Sequence, residues 1–396
     1  MVHKQTAKAL EPALAAESRP LSGLRVLDFT IVMSGPLCTR MLADAGAEVT
    51  KIESADADVV RQRPPFRAGE SSFYAALNCG KRSIKLNLKD AAAVELVRRL
   101  VRRADVVVEN FRPEVMQRFG LGYNDLATIN PGLVYCSISG FGQTGPAARA
   151  PAYAPIIHAA SGLELAHMDY QAGKSDRPAN NGVFTADVLG AVHAFGAINL
   201  ALLERTKSGL GQHIDLSLAE SVLGMLVYEL QAAQFPNTRK RQVYEPIKAK
   251  DGYVMVAAVT AKNQNALFDA IGFPEGRTDP RFATLQRKEE NWSTLLEIVE
   301  RWTSQFTARE CEERLVAMGV PCARYRTVAE AMQDEQLVHR RFLSKLGTPA
   351  EPFLVANVPY TFSRSIVRAQ PFVGKLGEHN AEIIDELKRQ EDAEQT

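Results

Sequence analysis

The sequence predicts an α/β fold in which a large domain is built on a doubly wound, Rossmann-like parallel sheet and a smaller domain is α+β. Short apolar segments of strand type alternate with segments of helical spacing over residues 20–145. That alternation is typical of parallel sheets with crossover helices. After about residue 225 the pattern changes, and several helical segments follow one strand. From about residue 340 a partly apolar tail follows, which we expect to pack back on the large domain.

The elements are predicted in chain order from apolar periodicity and from residues that start or stop helices. In the large domain the helices span 37–46 after Gly35-Pro36, 90–104 with Asp90 as cap, and about 187–207, and the strands span 24–29, 47–53, 83–88, 105–110 and 132–139, with a short strand after Gly211. In the small domain a strand over 251–259 precedes helices over 262–272, 289–305, 307–318 and 327–334, and residues 238–242 (TRKRQ) form an exposed linker. The predicted domains are therefore an N-terminal tail (1–20), a large domain (21–224, with 340–396 returning to it) and a small domain (225–339).

Composition excludes several classes of protein. The chain has 396 residues, and its 47 Lys and Arg against 46 Asp and Glu give a formal net charge of +1. This balance argues against a protein that coats nucleic acid or an anionic membrane. The longest uncharged apolar run, residues 188–203, is shorter than the ~20 residues that span a bilayer. We therefore expect neither a nucleic-acid partner nor a membrane span.

The five cysteines are odd in number and form no CxxC motif. They are predicted to be reduced thiols of a cytoplasmic protein. A catalytic cysteine stays a less favoured alternative, because a buried, inert cysteine is the common case. The N-terminus lacks the apolar stretch of a secretory signal, so we expect a short tail there.

Familiar ligand motifs are missing. The first strand–helix junction holds one glycine where a dinucleotide site needs GxGxxG, and no GxxxxGK[ST] occurs. HExxH and paired Cys/His sets are absent, so no metal is expected. GxSxG is absent too, which weakens a hydrolase interpretation. Some other ligand must then occupy the carboxyl edge of the sheet. The polar and loop candidates at that edge are Ser34, Lys89, Asn110, Phe111, Arg112 and the loop 140–146.

Two interpretations of these candidates stay open. Arginines at strand ends suit a phosphate or a carboxylate, yet Arg112 and Arg118 can equally be solvated surface cations. The glycines of the loop 140–146 can simply form turns.

Asp187 is the most informative acid, because it directly precedes a long apolar helix. The helix dipole would keep such a carboxylate ionised and the apolar setting would keep it poorly solvated. A carboxylate in that state can attack an activated acyl group. The alternative is a helix N-cap. His158 and His167 are candidate acid–base groups without an evident partner, and His193 is expected to pack in the core.

Many ordered segments of the chain resemble the class III CoA-transferase family, also called the CaiB/BaiF or formyl-CoA transferase and carnitine CoA-transferase family. They cover most of residues 21–225, with a C-terminal echo. The matching segments are LSGLRVLDFT, SGPLCTRMLADAGAEVTKIE, LNCGKRSIKLNLK, ADVVVENFRPEVMQRFGLGYNDL, NPGLVYCSISGFGQTGP, AASGL, TADVLGA, ALLERTKSGLGQHIDLSLAESVL and LGEH.

The resemblance implies a large α/β domain from both chain ends, a small domain between them, and an interlocked homodimer. The active site would lie where the large domain of one subunit meets the small domain of the other. CoA and acyl-CoA would be substrates, with no permanently bound cofactor. The family's catalytic aspartate falls on Asp187, which would form an acyl–aspartyl anhydride and then an aspartyl–CoA thioester. By the same resemblance, the CoA contacts fall on Ser34, Leu86, Asn87, Leu88, Lys89, Asn110, Phe111, Arg112, Arg118 and Tyr153.

Departures from the family pattern leave alternatives. Ile31 stands where the formyl-CoA transferase subgroup usually has His, and the chain lacks a tetraglycine run, so a formyl-CoA:oxalate specialist is not expected. The similar 2-methylacyl-CoA racemases use a His where Tyr153 stands, which ranks racemase second. A non-catalytic acyl-CoA-binding protein ranks third. By analogy with relatives, succinyl-CoA is the expected donor and a small dicarboxylic or hydroxy acid the expected acceptor.

Overall fold

The structure, a computed structural model, describes residues 18–171, 176–178, 181–235, 243–347 and 351–394. These residues form two compact units, which we call the large unit and the small unit. The large unit runs to His167 and adds Pro178–Leu230 and the chain from Val338; the small unit combines Met168–Arg177 with Gln231–Leu337. Most of the predicted N-terminal tail and all of the predicted linker at 238–242 lie outside the described residues.

The helices and strands are numbered in chain order. The strands are β1 (Arg25–Asp28), β2 (Glu48–Glu53), β3 (Phe66–Arg67), β4 (Glu70–Ser71), β5 (Lys81–Lys85), β6 (Val106–Glu109), β7 (Val134–Ser139), β8 (His213–Ser217), β9 (Ile247–Lys248), β10 (Tyr253–Val256), β11 (Cys322–Arg324), β12 (Leu343–Gly347) and β13 (Pro352–Ala356). The helices are α1 (Ser34–Asp44), α2 (Ser72–Asn78), α3 (Ala91–Val101), α4 (Val115–Arg118), α5 (Tyr123–Ala127), α6 (Ala154–Ala160), α7 (Leu163–Tyr170), α8 (Thr185–Ser208), α9 (Leu218–Met225), α10 (Val227–Gln234), α11 (Ala261–Ala270), α12 (Leu285–Glu290), α13 (Trp292–Thr303), α14 (Ala308–Ala317), α15 (Val328–Met332), α16 (Glu335–His339) and α17 (Asn380–Glu394).

The large unit is built on a parallel sheet of strand order β5-β2-β1-β6-β7-β8. The prediction of an α/β fold with a parallel sheet is confirmed. The chain proceeds from β1 to one side of the sheet and later returns to place β6 on the other side of β1. This reversal opens a crevice at the carboxyl ends of β1 and β6, where open α/β sheets bind ligands.

Helices cover both faces of this sheet. On one face α1 packs against α8, and buried small and branched residues of both helices join the strand valines in one core. Gly190 of α8 permits the close approach of α9, since a Cβ at this position would lie 2.2 Å from Leu218 Cδ2. On the other face Val97 and Val101 of α3 share a core with Ile383 of α17. The tail therefore belongs to the large unit.

The small unit has its own core. An antiparallel sheet of order β11-β10-β9 carries α11, α13 and α14. Its buried side chains include Val254, Phe268, Leu295 and Leu315. The capping box of Thr307 and Glu310 starts α14, because the Thr307 hydroxyl accepts from the Glu310 N–H and the Glu310 carboxylate accepts from the Thr307 N–H.

Three predicted elements differ from the structure. The strand expected at 83–88 is β5 at Lys81–Lys85, because the buried Lys81, which binds Asp28, conceals its start in the sequence pattern. The helix expected at 289–305 is two helices interrupted at Asn291, whose side chain donates to the Arg287 carbonyl. Asp90 stands at the N-cap of α3 but makes no side-chain capping bond.

Helix α8 contains the longest apolar run of the sequence. With 24 residues it is long and apolar enough to cross a membrane by length and composition alone. Within the chain, 39% of its most apolar window is buried, and its buried residues belong to the core of the large unit. A core helix of a soluble protein passes the same length test.

Candidate active site

Side chains from three strands organise the crevice beside β1. The loop that follows β1 is tied to β6 by Asn110, whose amide oxygen accepts from the Ile31 N–H at 2.8 Å and whose amide nitrogen donates to the Ile31 carbonyl at 2.8 Å. These two hydrogen bonds engage both polar atoms of the Asn110 side chain with the loop. The loop is thereby fixed at the point where the strand order reverses.

The same loop has a strained residue. Val32 has a φ of 67°, in the left-handed region that β-branched residues rarely adopt. Its N–H donates to both carboxylate oxygens of Asp58 at 3.2 Å, and the buried Asp58 is paired with Lys51 at 3.5 Å. Such strain persists only where surrounding contacts determine it. The Asp58–Lys51 pair therefore supports the turn that leads into Ser34.

A buried ion pair holds the start of α1 to the sheet. Lys81 Nζ donates to Asp28 Oδ2 at 2.9 Å, to the Pro36 carbonyl at 2.8 Å and to the Asn78 side chain at 2.8 Å. Burial disfavours ionisation of Asp28, yet Lys81 and Lys51 outweigh it and lower the pKa of that carboxyl. Gly35 allows the start of α1 to lie close to Thr30, since a Cβ at position 35 would lie 2.3 Å from Thr30 Cβ.

Asp187 lies in the first turn of α8, half-buried, and the Ser34 hydroxyl at the start of α1 favours its ionised form. Burial raises the pKa of Asp187 to about 6, although the Ser34 hydroxyl acts in the opposite direction. Two helix N-termini thus lie at one carboxylate, and their dipoles favour negative charge. At neutral pH the group is mainly ionised while poorly solvated.

The capping interpretation of Asp187 is wrong. The N-cap of α8 is Phe184, which makes no side-chain capping bond, and Asp187 is the third helical residue. Its side chain is therefore available for another role. His193, expected in the core, is exposed on the same helix, and His167 is exposed on α7.

The other predicted site residues divide into two groups. The side chains of Leu86, Leu88 and Phe111 pack against the core, and the Leu86 and Phe111 N–H groups donate to the Glu53 carbonyl and the Glu109 carboxylate. The polar and aromatic members are exposed. Among the described residues, no carboxylate pairs with the three cations Lys89, Arg112 and Arg118. This exposed group is Asn87, Lys89, Arg112, Arg118 and Tyr153, the last 70% exposed. The structure joins Ser34 to Asp187 and Asn110 to the β1 loop; the CoA contacts stay predictions.

Sequence patterns did not reveal the supporting groups. Lys51, Asp58 and Lys81 are charged residues in segments that otherwise have strand or loop character, and buried charge leaves no periodic signal.

His158 is fully buried and its Nε2 accepts from the Ala186 N–H at 3.1 Å. Gly142 and Gly145 adopt positive φ, which fits the turn interpretation of their loop. In the described part of the chain, no group of three or more His, Cys, Asp or Glu could hold a metal.

Glu109 at the end of β6 gives a pH-dependent stability prediction. Burial raises the pKa of this carboxyl to about 7, against hydrogen bonds from the Ser137 hydroxyl and the Phe111 N–H. Ionisation is therefore costly in the folded state, and the wild type loses stability as pH rises from about 4.5 to 7. Glu109→Gln is expected to be close to neutral at pH 5 and more stable at pH 8, by at most about 3 kcal/mol. Thermal unfolding at both pH values measures this, with the exposed Glu95→Gln as control; an equal shift at both pH values contradicts it.

Comparison with known proteins decides the family. The model of CoA-transferase family III matches residues 21–380. The chain belongs to this family.

Curated relatives of family III match this chain over nearly its whole length. Acetyl-CoA:oxalate CoA-transferase from Acetobacter aceti is 35% identical, over 95% of this chain and 98% of the relative. Succinate–glutarate CoA-transferase from Agrobacterium fabrum is 32% identical, over 93% and 96%. The predicted family and enzyme class, a CoA-transferase, are confirmed.

Solved structures agree with the family III fold. A CaiB/BaiF family protein from Brucella suis has a TM-score of 0.81 at 32% identity and covers 94% of this chain and 100% of its own. A hypothetical protein from Mycobacterium tuberculosis has a TM-score of 0.84 at 27% identity and covers 93% and 100%.

Proposed function

We propose that this CoA-transferase moves CoA from an acyl-CoA donor to a carboxylic acid, with Asp187 as the nucleophile. The supporting observation is the half-buried carboxylate at two helix N-termini, whose ionised form the Ser34 hydroxyl favours. Weak solvation raises the reactivity of an ionised carboxylate, and the helix dipoles stabilise the oxyanion that forms when it attacks a carbonyl.

The proposed reaction has four steps. Asp187 attacks the thioester carbonyl, a C–O bond forms, and the C–S bond breaks to release CoA thiolate and leave an acyl–aspartyl anhydride. The thiolate attacks the aspartyl carbonyl, which gives an aspartyl–CoA thioester and frees the donor acid as carboxylate. The acceptor carboxylate attacks this thioester and releases the thiolate again. The thiolate then takes the acceptor acyl group, and Asp187 returns as carboxylate.

The substrates are proposed by chemistry. The exposed cations Lys89, Arg112 and Arg118, which pair with no carboxylate in the described part of the chain, suit the phosphates of CoA. Succinyl-CoA as donor and a small dicarboxylic or hydroxy acid as acceptor are supported by relatives named succinate–glutarate CoA-transferase and succinyl-CoA–D-citramalate CoA-transferase. CoA enters as a substrate, without a permanently bound cofactor. A cytoplasmic location is part of the proposal, supported by free cysteines.

An interlocked homodimer is also proposed. An apolar surface on α8, α9 and α10 is exposed in the single chain, and surfaces of this extent mark interaction sites. Because the same helix packs in the core of the large unit, a second copy explains the exposed face better than lipid does. The surface comprises Val188, Val192, Leu200, Leu203, Leu223 and Val227, with 37% to 69% exposure.

The experiment that tests the function traps the intermediate. The enzyme is mixed with succinyl-CoA without acceptor and treated with hydroxylamine, and peptide mass spectrometry locates the hydroxamate. We expect modification of Asp187, and none at the exposed Asp169 of α7. Modification at another residue, or CoA transfer without any trapped species, would remove Asp187 as nucleophile. Solvent deuterium at C2 of a branched acyl-CoA without acceptor would indicate a racemase, and binding without turnover would indicate a carrier.

The pKa of Asp187 predicts the acid limb of activity. Since the ionised form attacks, kcat/KM is expected to fall as pH drops through about 6. Ser34→Ala removes the hydroxyl that lowers this pKa, so its acid limb should move to higher pH, whereas Ser34→Thr should keep the wild-type limb. The pH profiles of kcat/KM for the three proteins measure this. An unmoved limb in Ser34→Ala would assign it to another group.

Charge on the apolar surface should break the dimer. Val192→Glu and Leu200→Glu place carboxylates where a second copy is proposed to pack, so light scattering is expected to find a dimer for the wild type and monomer for the variants. Val328→Glu, at an exposed valine of the small unit, is the control. A monomeric wild type, or vesicle binding by the wild type that these substitutions abolish, would contradict the homodimer.

A further inference from the structure

His158 lies fully buried on α6 and accepts a hydrogen bond from the first turn of α8. Its Nε2 is 3.1 Å from the Ala186 nitrogen. The first N–H groups of a helix have no acceptor within the helix, and the Phe184 cap supplies none from its side chain. His158 provides the missing acceptor. Because Nε2 accepts, the imidazole is neutral and carries its proton on Nδ1.

Glu164 lies on the other side of this ring. His158 Nδ1 is 3.6 Å from Glu164 Oε1, and the Glu164 side chain is 14% exposed. In the described part of the chain, neither His158 Nδ1 nor Glu164 Oε2 has a hydrogen-bond partner. A carboxylate beside Nδ1 favours the tautomer that leaves Nε2 as acceptor. A series of contacts thus runs from Glu164 through His158 to Ala186, one residue before Asp187.

We propose that His158 is a positioning residue for Asp187 and that Glu164 holds its tautomer. The inference rests on the proposed role of Asp187. The Ala186 N–H belongs to the turn that directs the Asp187 carboxylate toward Ser34. Without its acceptor, this turn shifts, and a misplacement of about 1 Å in a reacting group costs on the order of a hundredfold in rate.

Four variants of the full chain test the proposal. His158→Leu removes the acceptor and His158→Asn shortens it, whereas the amide oxygen of His158→Gln can reach the Ala186 N–H. We expect kcat to fall about tenfold to a hundredfold in the Leu and Asn variants, with KM for the acyl-CoA within about twofold of wild type. The Gln variant should stay within a few-fold of wild-type kcat. Glu164→Gln should lower kcat severalfold without a change in melting temperature, since it weakens only the choice of tautomer.

The outcomes separate positioning from folding and from the proposed function. If the Leu variant does not fold, the Gln and Asn pair still decides, since both keep a polar amide in the pocket. Equal kcat in that pair, or a wild-type kcat in the Leu variant, overturns the proposal. An Asp187→Asn enzyme that still transfers CoA refutes the proposed nucleophile, whereas an inactive Asp187→Asn beside a fully active Leu variant refutes only the role of His158.

Discussion

Asp187→Asn is expected to lower kcat for CoA transfer by roughly 10⁴-fold or more, the scale seen when a covalent nucleophile is removed. The amide keeps the shape of the side chain and its contact with Ser34, but it lacks the charge that attacks the thioester. Initial rates with succinyl-CoA and a panel of dicarboxylic acids measure the loss. Binding of CoA should change little, because the charge lost is not among the cations proposed to hold its phosphates.

Two controls make this result specific. Asp187→Ala guards against slow deamidation of the introduced asparagine, and the exposed Asp169→Asn on α7 is expected to keep the wild-type rate. Residual activity within tenfold of wild type in Asp187→Ala would mean that the acyl group passes directly between thiol and carboxylate, or through another side chain.

Lys81→Met is expected to lower the free energy of unfolding by about 3–5 kcal/mol, because it leaves Asp28 buried without its closest cation. The lost ammonium also donates to the Pro36 carbonyl at the start of α1, so the effect should reach the loop before Ser34. Urea unfolding measures the free energy. Lys85→Met, on the exposed end of the same strand, is the matched control.

A second substitution tests the cause. In Asp28→Asn/Lys81→Met the unpaired charge is gone, so the double variant should be more stable than the sum of the two single effects predicts. Simple additivity would show that the two groups do not depend on each other, and a Lys81→Met variant as stable as Lys85→Met would contradict the assignment of a structural role.

The sequence predicted the parallel sheet because its strands are short, apolar and separated by helices that could be recognised by their spacing. It also directed attention to Asp187, Asn110 and Ser34, since each follows or begins a predicted element at one sheet edge. It could not show that the Asn110 amide binds the backbone of Ile31, because that hydrogen bond joins residues whose chain positions are far apart.

The supporting groups were beyond sequence analysis for a physical reason. Burial of Lys51 and Lys81 is tolerated only because carboxylates from other segments meet them, and such partners are set by tertiary packing. The same holds for His158, which a single sequence presents as one polar residue on a short apolar helix. The sequence therefore predicts Asp187 as the nucleophile, whereas the residues packed around it become evident only in the folded structure.

The discontinuous large unit constrains the order in which the protein folds during synthesis. The parallel sheet is complete once Ser217 has been added, but the helix that covers Val97 and Val101 starts only at Asn380. The larger segment of the small unit, Gln231–Leu337, is translated in between, and its core draws on local segments. Since domains fold as units, a nascent chain holds a finished small unit while the large unit still has one open apolar flank. Chaperone binding to this flank should end when α17 docks and Arg82 meets Glu386.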